Sequence, residues 1–240
     1  MGFGPRLTRG VKILLVALGV FSVGLPLLGW SSPALEEQVR AQLAFTPAEL
    51  WRGKIWQPLT FTLIARDPLD LLLSALLLWM FGSALEQRWG TKRFLGFYFA
   101  SVAAAAVVTA LIGLGVRSVA VYPYLGNWPA QEAMVAAYAL LMPDAQILLF
   151  FVLPIPGRWL IPISAGMTLL FVIMSRTAVP YVPHLLALGA GMLFARGVAG
   201  PRHLWLRLRV FWIERRLSNR KLRVVPGGDK PKQGSDGYLH

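Results

Sequence analysis

The chain has 240 residues, of which 56% are hydrophobic and only 15% are charged. Soluble domains are about half apolar and about one quarter charged, so this balance excludes a soluble fold and predicts a polytopic, all-α integral membrane protein surrounded by the lipid bilayer. Cysteine is absent, which excludes disulfides, thiolate nucleophiles and cysteine metal sites, and we expect no cofactor.

The net charge of +13 would suit a protein that binds nucleic acid, but the basic residues are placed differently. Ten of the 24 Lys and Arg residues follow position 196, beside apolar segments rather than inside a folded basic domain. We therefore expect no nucleic acid as a partner, and we expect this charge to meet anionic lipid headgroups.

Membrane spans are indicated by six apolar segments, at residues 13–30, 69–85, 94–116, 129–142, 159–175 and 182–194. A helix needs about 17 to 25 residues to cross a bilayer. The fourth segment is shorter and begins at Pro129, which suits a first helical turn because its missing N–H would have no partner there. A cleaved signal peptide is the alternative for the first segment, although its apolar run exceeds the usual hydrophobic region of about 7 to 15 residues.

Two connecting segments are predicted to lie at the membrane interface. Residues 31–67 mix charged with aromatic residues, and tryptophans such as Trp51 and Trp56 are favoured where water meets lipid. Residues 146–156 are apolar but contain Pro154 and Pro156, so we expect this segment to be interfacial rather than spanning.

Topology is predicted from the positions of Lys and Arg, which accumulate in short cytoplasmic segments. With six spans, one side of the membrane receives Arg6, Arg9, Lys12, Arg88, Lys92, Arg93, Arg158 and the C-terminal tail. This distribution predicts that both termini are cytoplasmic in a multi-pass protein of the plasma (inner) membrane.

Two parts are expected, a membrane domain at residues 1–198 and a cytoplasmic tail at residues 199–240. Residues 202–225 of the tail interleave apolar and basic side chains, which is typical of an amphipathic helix on an anionic leaflet. The alternative is that this helix packs over the protein's own loops. Residues 227–240 are predicted to be disordered.

A series of short motifs follows one order along the chain. They are Trp51-Arg52-Gly53, Trp56 with Thr60, LWMFGSALEQRWG at residues 78–90, Arg93-Phe94-Leu95, AYALLMP at residues 137–143, and His184. In order and spacing they resemble the rhomboid family of intramembrane serine proteases. The resemblance covers about residues 51–197 and implies a rhomboid-like bundle of six transmembrane helices.

The resemblance also implies where a catalytic site would lie. The family nucleophile is a serine in a Gly-x-Ser-Gly loop at the start of the fourth helix, and its base is a histidine on the sixth. The loop falls on Gly126-Asn127-Trp128-Pro129, so the serine position is Trp128, while the histidine is His184. The family's His-x-x-x-Asn, which polarises the scissile carbonyl, falls on Asp70 and Ser74.

These departures predict a pseudoprotease rather than an enzyme. Acyl transfer needs a hydroxyl or thiol that a base can activate, whereas the Trp128 indole can only donate a hydrogen bond. We therefore expect a protein that binds transmembrane helices of other membrane proteins without cleaving them. The alternative is an active rhomboid-type serine endopeptidase with an unrecognised nucleophile.

Glu132 is the most informative remaining polar residue. It stands four residues after Trp128, so both project from one face of the fourth helix, which on the resemblance faces His184. One interpretation is a buried pair of Glu132 and His184 that joins helices four and six; another is a polar cavity with Asp70 that binds a metal or carries protons; a third is exposure at the helix mouth. The sequence fixes no ligand geometry, so no metal site is assigned.

Small residues on both helices predict close packing: Ala133, Ala136, Ala137, Ala187, Gly189 and Gly191.

Overall fold

A computed structural model describes residues 6–149 and 153–197 of the chain. The helices, in chain order, are α1 (Arg9–Ser31), α2 (Pro33–Leu43), α3 (Pro47–Leu50), α4 (Gln57–Thr60), α5 (Pro68–Leu77), α6 (Ser83–Trp89), α7 (Thr91–Gly115), α8 (Arg117–Ala120), α9 (Trp128–Leu141), α10 (Leu160–Ser175) and α11 (Val182–Ala195). A π-helical turn, Leu78–Gly82, joins α5 to α6. The predicted all-α membrane class is confirmed, and the predicted tail lies outside the described residues.

Long apolar helices occur where four of the six spans were predicted. They are Arg9–Ser31, Pro68–Trp89, Thr91–Gly115 and Gly157–Ser175, each long and apolar enough to cross a membrane. The fourth and sixth predicted segments form α9 and α11, which have 14 residues each. That length is below the roughly 17 residues that a spanning helix needs, so the count of six spans stays a prediction.

The segment between α1 and α5 was predicted as an interfacial loop, and the structure shows three short helices in it. Gln57 holds them together from a fully buried position. Its side chain donates to Glu49 Oε2 at 2.8 Å and accepts from the Thr46 N–H at 3.2 Å. Lys54 Nζ lies 2.9 Å from the same Glu49 oxygen. The polar residues of this segment therefore organise a compact unit rather than a loose connection.

We expect the stability contributed by Glu49 to depend on pH. Hydrogen bonds from Lys54 and then from Gln57 lower the pKa of the Glu49 carboxyl. A carboxyl with a lowered pKa stabilises the folded state above its unfolded pKa, about 4.3 for glutamate, and this contribution is lost as the pH falls through the folded pKa. The unfolding midpoint of the wild type should therefore be higher than that of Glu49→Gln at neutral pH, and the difference between the two midpoints should vanish near pH 3. Unfolding midpoints at both pH values test this, with Glu37→Gln on exposed α2 as the control.

Residues 146–149 and 153–156 form a pair of strands, which the sequence did not predict. Gln146–Leu149 (β1) pairs antiparallel with Leu153–Pro156 (β2), with Gln146 opposite Pro156 and Ile147 opposite Ile155. Proline has no backbone N–H to donate, so within a sheet it occurs on edge strands, where that N–H would not face another strand. This pair of strands is thus compatible with Pro154 and Pro156, whereas the two prolines would interrupt a helix.

Glu86, near the end of α6, binds the start of α1. Its carboxylate accepts from the backbone N–H groups of Gly10 at 2.8 Å and Val11 at 2.9 Å. It also accepts from the Thr8 hydroxyl, and from the Thr91 hydroxyl at 2.6 Å. The first N–H groups of a helix have no partner within the helix, so Glu86 caps α1 from another part of the chain.

α9 occupies the centre of the bundle and is packed against both α7 and α11. Its buried residues include Ala133, Ala136 and Ala137, which bring neighbouring backbones close. By contrast, α10 buries only Leu160 and Thr168 and presents the remainder of its apolar surface outward. The central helix is therefore held firmly, whereas α10 lies at the periphery.

Candidate functional site

The candidate site is built around the first turn of α9. The chain reaches it through Gly126, whose φ of 122° is a conformation that glycine adopts readily and whose N–H donates to Phe61 O at 3.0 Å. Asn127 follows, fully buried, and its Oδ1 accepts from the Tyr98 hydroxyl at 2.6 Å. Trp128 is the first residue of α9 and is half-buried, and Pro129 comes next. The turn is thus fixed by the loop before it and by α7.

Glu132 and His184 meet between α9 and α11. His184 Nδ1 lies 3.5 Å from Glu132 Oε1, and both side chains are over nine-tenths buried. The Thr168 hydroxyl of α10 donates to the same oxygen at 2.7 Å. Among the described residues, the second carboxylate oxygen of Glu132 has no hydrogen-bond partner. The structure therefore places the expected pair together and adds a third helix to it.

Thr168 should stabilise the bundle through this bond, because α10 buries little else. Thr168→Val keeps the shape of the side chain but leaves the buried carboxylate with one partner fewer. We expect a loss of about 1 to 3 kcal/mol in the free energy of unfolding. Chemical unfolding in detergent micelles measures it, and Ser164→Ala, one turn earlier on α10, serves as the control. Equal losses in the two variants would contradict the assignment.

Asp70 and Ser74 lie on α5 and form a separate group. Asp70 Oδ2 accepts from the Arg66 N–H at 2.9 Å, and Asp70 Oδ1 accepts from the Ser74 hydroxyl at 3.3 Å. Gln131 of α9 reaches this group by donating to Ser74 O at 2.9 Å. In the part of the chain that the structure describes, no three His, Asp or Glu side chains are close enough to hold a metal ion. Asp70 is therefore not brought into a shared ligand set with Glu132 and His184.

A cavity of about 240 Å³ opens where α9 and α11 begin. Its walls are mostly aromatic residues, prolines, one arginine and one histidine; the lining residues are Phe61, Arg66, Tyr122, Pro123, Tyr124, Leu125, Gly126, Pro129, Pro180, Pro183 and His184. Tyr124 donates to Val179 O at 3.0 Å, and burial raises the pKa of its phenol, which keeps it neutral. Trp128 and Thr168 are not among the residues that line this space.

Two of the polar groups at this site escaped the sequence reasoning. Thr168 lies inside a long apolar run, where a lone threonine gives no signal of a partner on another helix. Gln131 has the same problem, because its bond to a backbone carbonyl of α5 leaves no pattern in the sequence. Trp128 and His184 were placed at the site by the resemblance, whereas Glu132 carried a signal of its own because a carboxylate is unusual in an apolar helix.

The comparison with known families decides the class of protein. The chain matches the model of the rhomboid domain over residues 52–200, which is more than half of its length. The chain belongs to the rhomboid family. None of the curated proteins matches it.

The rhomboid domain includes α4 to α11 and therefore the whole candidate site. With the four long apolar helices, the match identifies a multi-pass integral membrane protein in contact with the lipid bilayer. The helix α1 precedes the matched residues, but Glu86 of the rhomboid domain binds its first turn. The domain thus extends its packing to a helix outside the matched region.

Proposed function

We propose that this rhomboid-family protein binds transmembrane segments of other membrane proteins without cleaving them. The proposal rests chiefly on Trp128, which begins α9 at the position that the resemblance gives to the nucleophilic serine. A covalent acyl intermediate requires an attacking hydroxyl or thiol. The indole N–H only donates, so Trp128 cannot form that intermediate.

The groups around Trp128 also oppose proteolysis. Pro129 has no N–H to stabilise an oxyanion. Asp70, at the position of the family's carbonyl-polarising histidine, carries a carboxyl group that would repel an oxyanion when ionised. Each change removes a different part of acyl-transfer chemistry, which supports a scaffold that is kept for binding.

Thr168 is the hydroxyl that comes nearest to being a substitute nucleophile. Its Oγ1 lies 2.7 Å from Glu132 Oε1, the same oxygen that contacts His184. However, Thr168 is 4% exposed and does not line the cavity that His184 reaches. A scissile bond in that cavity would be out of its reach, so we assign Thr168 a role in holding α10.

Binding of a transmembrane guest is supported by the apolar surfaces of α5 and α10. Leu69 and Leu72 of α5 are 65% and 68% exposed, and Ile173 and Met174 of α10 are 73% and 72% exposed. Helices associate in lipid through close packing and polar contacts rather than by burying apolar area from water. A helix that is held loosely at the edge of the bundle, as α10 is, can move to admit a guest.

The placement in the cell follows from charge. We infer a plasma (inner) membrane protein with both termini in the cytoplasm, supported by the basic residues of the N-terminus, of the α6–α7 connection and of the tail. The tail's basic residues are proposed to contact anionic lipid headgroups.

Two measurements on the purified full-length protein in lipid vesicles test the proposed function. A fluorophosphonate probe and a panel of transmembrane substrates should give neither labelling nor cleavage, while energy transfer between labelled protein and labelled transmembrane peptides should report binding. Labelling together with cleavage would refute the proposal, and Thr168→Val and His184→Ala would then show whether those residues carry the activity. Failure of every peptide to bind would refute the proposal that the protein binds transmembrane segments.

A further inference from the structure

The cavity at the start of α9 is lined by one arginine and one histidine and by no carboxylate among the described residues. Its charged or titratable lining groups, apart from two tyrosines, are Arg66 and His184. Four of the wall residues are prolines, which have no N–H to offer a ligand. Recognition inside this space would therefore depend on Arg66 and His184.

Arg66 is an exposed residue that is anchored at its Nε and makes no ion pair among the described residues. Its Nε donates to Leu125 O at 2.9 Å, which fixes the guanidinium against the loop. A Cβ built on Gly126 would lie 3.0 Å from Nε and 3.4 Å from Nη2, so glycine allows the guanidinium to lie over the backbone. Within residues 6–149 and 153–197, the ion pairs of the protein do not include Arg66. The Nη groups remain for a ligand, and a guanidinium fork fits a carboxylate in a bidentate manner.

The carboxyl group that contacts His184 is not part of the cavity lining. Glu132 contacts His184 Nδ1 at 3.5 Å but does not line the cavity. The start of this 14-residue helix α9, which carries a partial positive charge, borders the same space, since Gly126 and Pro129 line it. The cavity is thus suited to an anionic group.

We propose that this cavity binds the carboxylate of an aspartate or glutamate at the membrane-boundary end of a transmembrane segment, with Arg66 as its main partner. The inference rests on the proposed function, and it names the chemistry of the guest. A charged residue is costly in the middle of a bilayer but tolerated at the end of a span, and the cavity lies at the first turns of α9 and α11. A volume of about 240 Å³ admits one side chain of this size.

The test uses the full-length protein in vesicles of neutral phosphatidylcholine. The probes are two synthetic transmembrane peptides that differ only in one boundary residue, aspartate or asparagine, and energy transfer gives their affinities. We expect the aspartate peptide to bind about tenfold more tightly, because a charge-assisted hydrogen bond is replaced by a neutral one. Arg66→Gln should abolish this preference, and Arg66→Lys should keep part of it. Arg117→Gln, at an exposed arginine on α8, should leave it unchanged.

The outcomes separate this inference from the proposed function. If both peptides bind equally to the wild type, the carboxylate site is wrong while binding of transmembrane segments stands. If neither peptide binds but other peptides of the panel do, the carboxylate site is wrong; if no peptide of the panel binds, both proposals are wrong. Vesicles that contain phosphatidylglycerol test a lipid headgroup as the occupant: if this lipid binds in an Arg66-dependent manner and the aspartate preference is absent in neutral vesicles, the carboxylate proposal is overturned.

Discussion

Glu86→Ala is expected to lower the free energy of unfolding by about 3 kcal/mol or more. The substitution removes the acceptor of two backbone N–H groups at the start of α1 and of two threonine hydroxyls. Glu86 is 4% exposed, so water does not readily replace it. Buried donors without partners cost about 1 to 3 kcal/mol each, and at least two are created here. Chemical unfolding of the purified protein in mild detergent measures the change.

Two further variants separate the cap from a general effect of charge. Glu86→Gln retains one carbonyl oxygen as an acceptor, so its loss should lie between those of the wild type and Glu86→Ala. Glu37→Ala removes an exposed carboxylate from α2 and should change stability by less than about 0.5 kcal/mol. If Glu86→Gln were as damaging as Glu86→Ala, the acceptor oxygens would not be the source of the stabilisation.

The same residue shows how far the sequence can predict this fold. The helix near whose end Glu86 lies was predictable, since apolar length and flanking charge identify a span. The partners of Glu86 were not, because Gly10 lies 76 residues away and contributes a backbone N–H, which has no sequence signature.

At the candidate site, too, some contacts were predictable from the sequence and others were not. The proximity of Glu132 and His184 was anticipated, because helical spacing placed Glu132 with Trp128 and the resemblance placed His184 opposite. The third member, Thr168, and the separate group of Asp70 and Ser74 required coordinates, since both depend on how α5 and α10 are rotated about their axes. The sequence of a uniformly apolar helix gives almost no indication of which face is turned toward the rest of the bundle.

Glycine provides the sharpest contrast between pattern and packing. Gly189 and Gly191 lie two residues apart on α11, and the same role in close packing was predicted for both. In the structure a Cβ on Gly191 would lie 2.3 Å from Ala133 O and 2.7 Å from Ala133 Cα. A Cβ on Gly189 would meet nothing within 4 Å. Only Gly191 therefore sets the distance between α9 and α11.

Gly191→Ala is accordingly expected to destabilise the protein by about 2 to 3 kcal/mol, because an added methyl group in a packed interior forces backbone shifts. The obstacle is the backbone of α9, which cannot rotate away as a side chain could. Gly189→Ala is the matched control and should be neutral or slightly stabilising, since alanine is favoured over glycine in a helix by about 0.5 to 1 kcal/mol. Unfolding measured side by side for the two variants gives the comparison. A similar loss in both would mean that alanine is tolerated poorly along α11 in general, and that the approach of Gly191 to Ala133 does not control the pairing of the two helices.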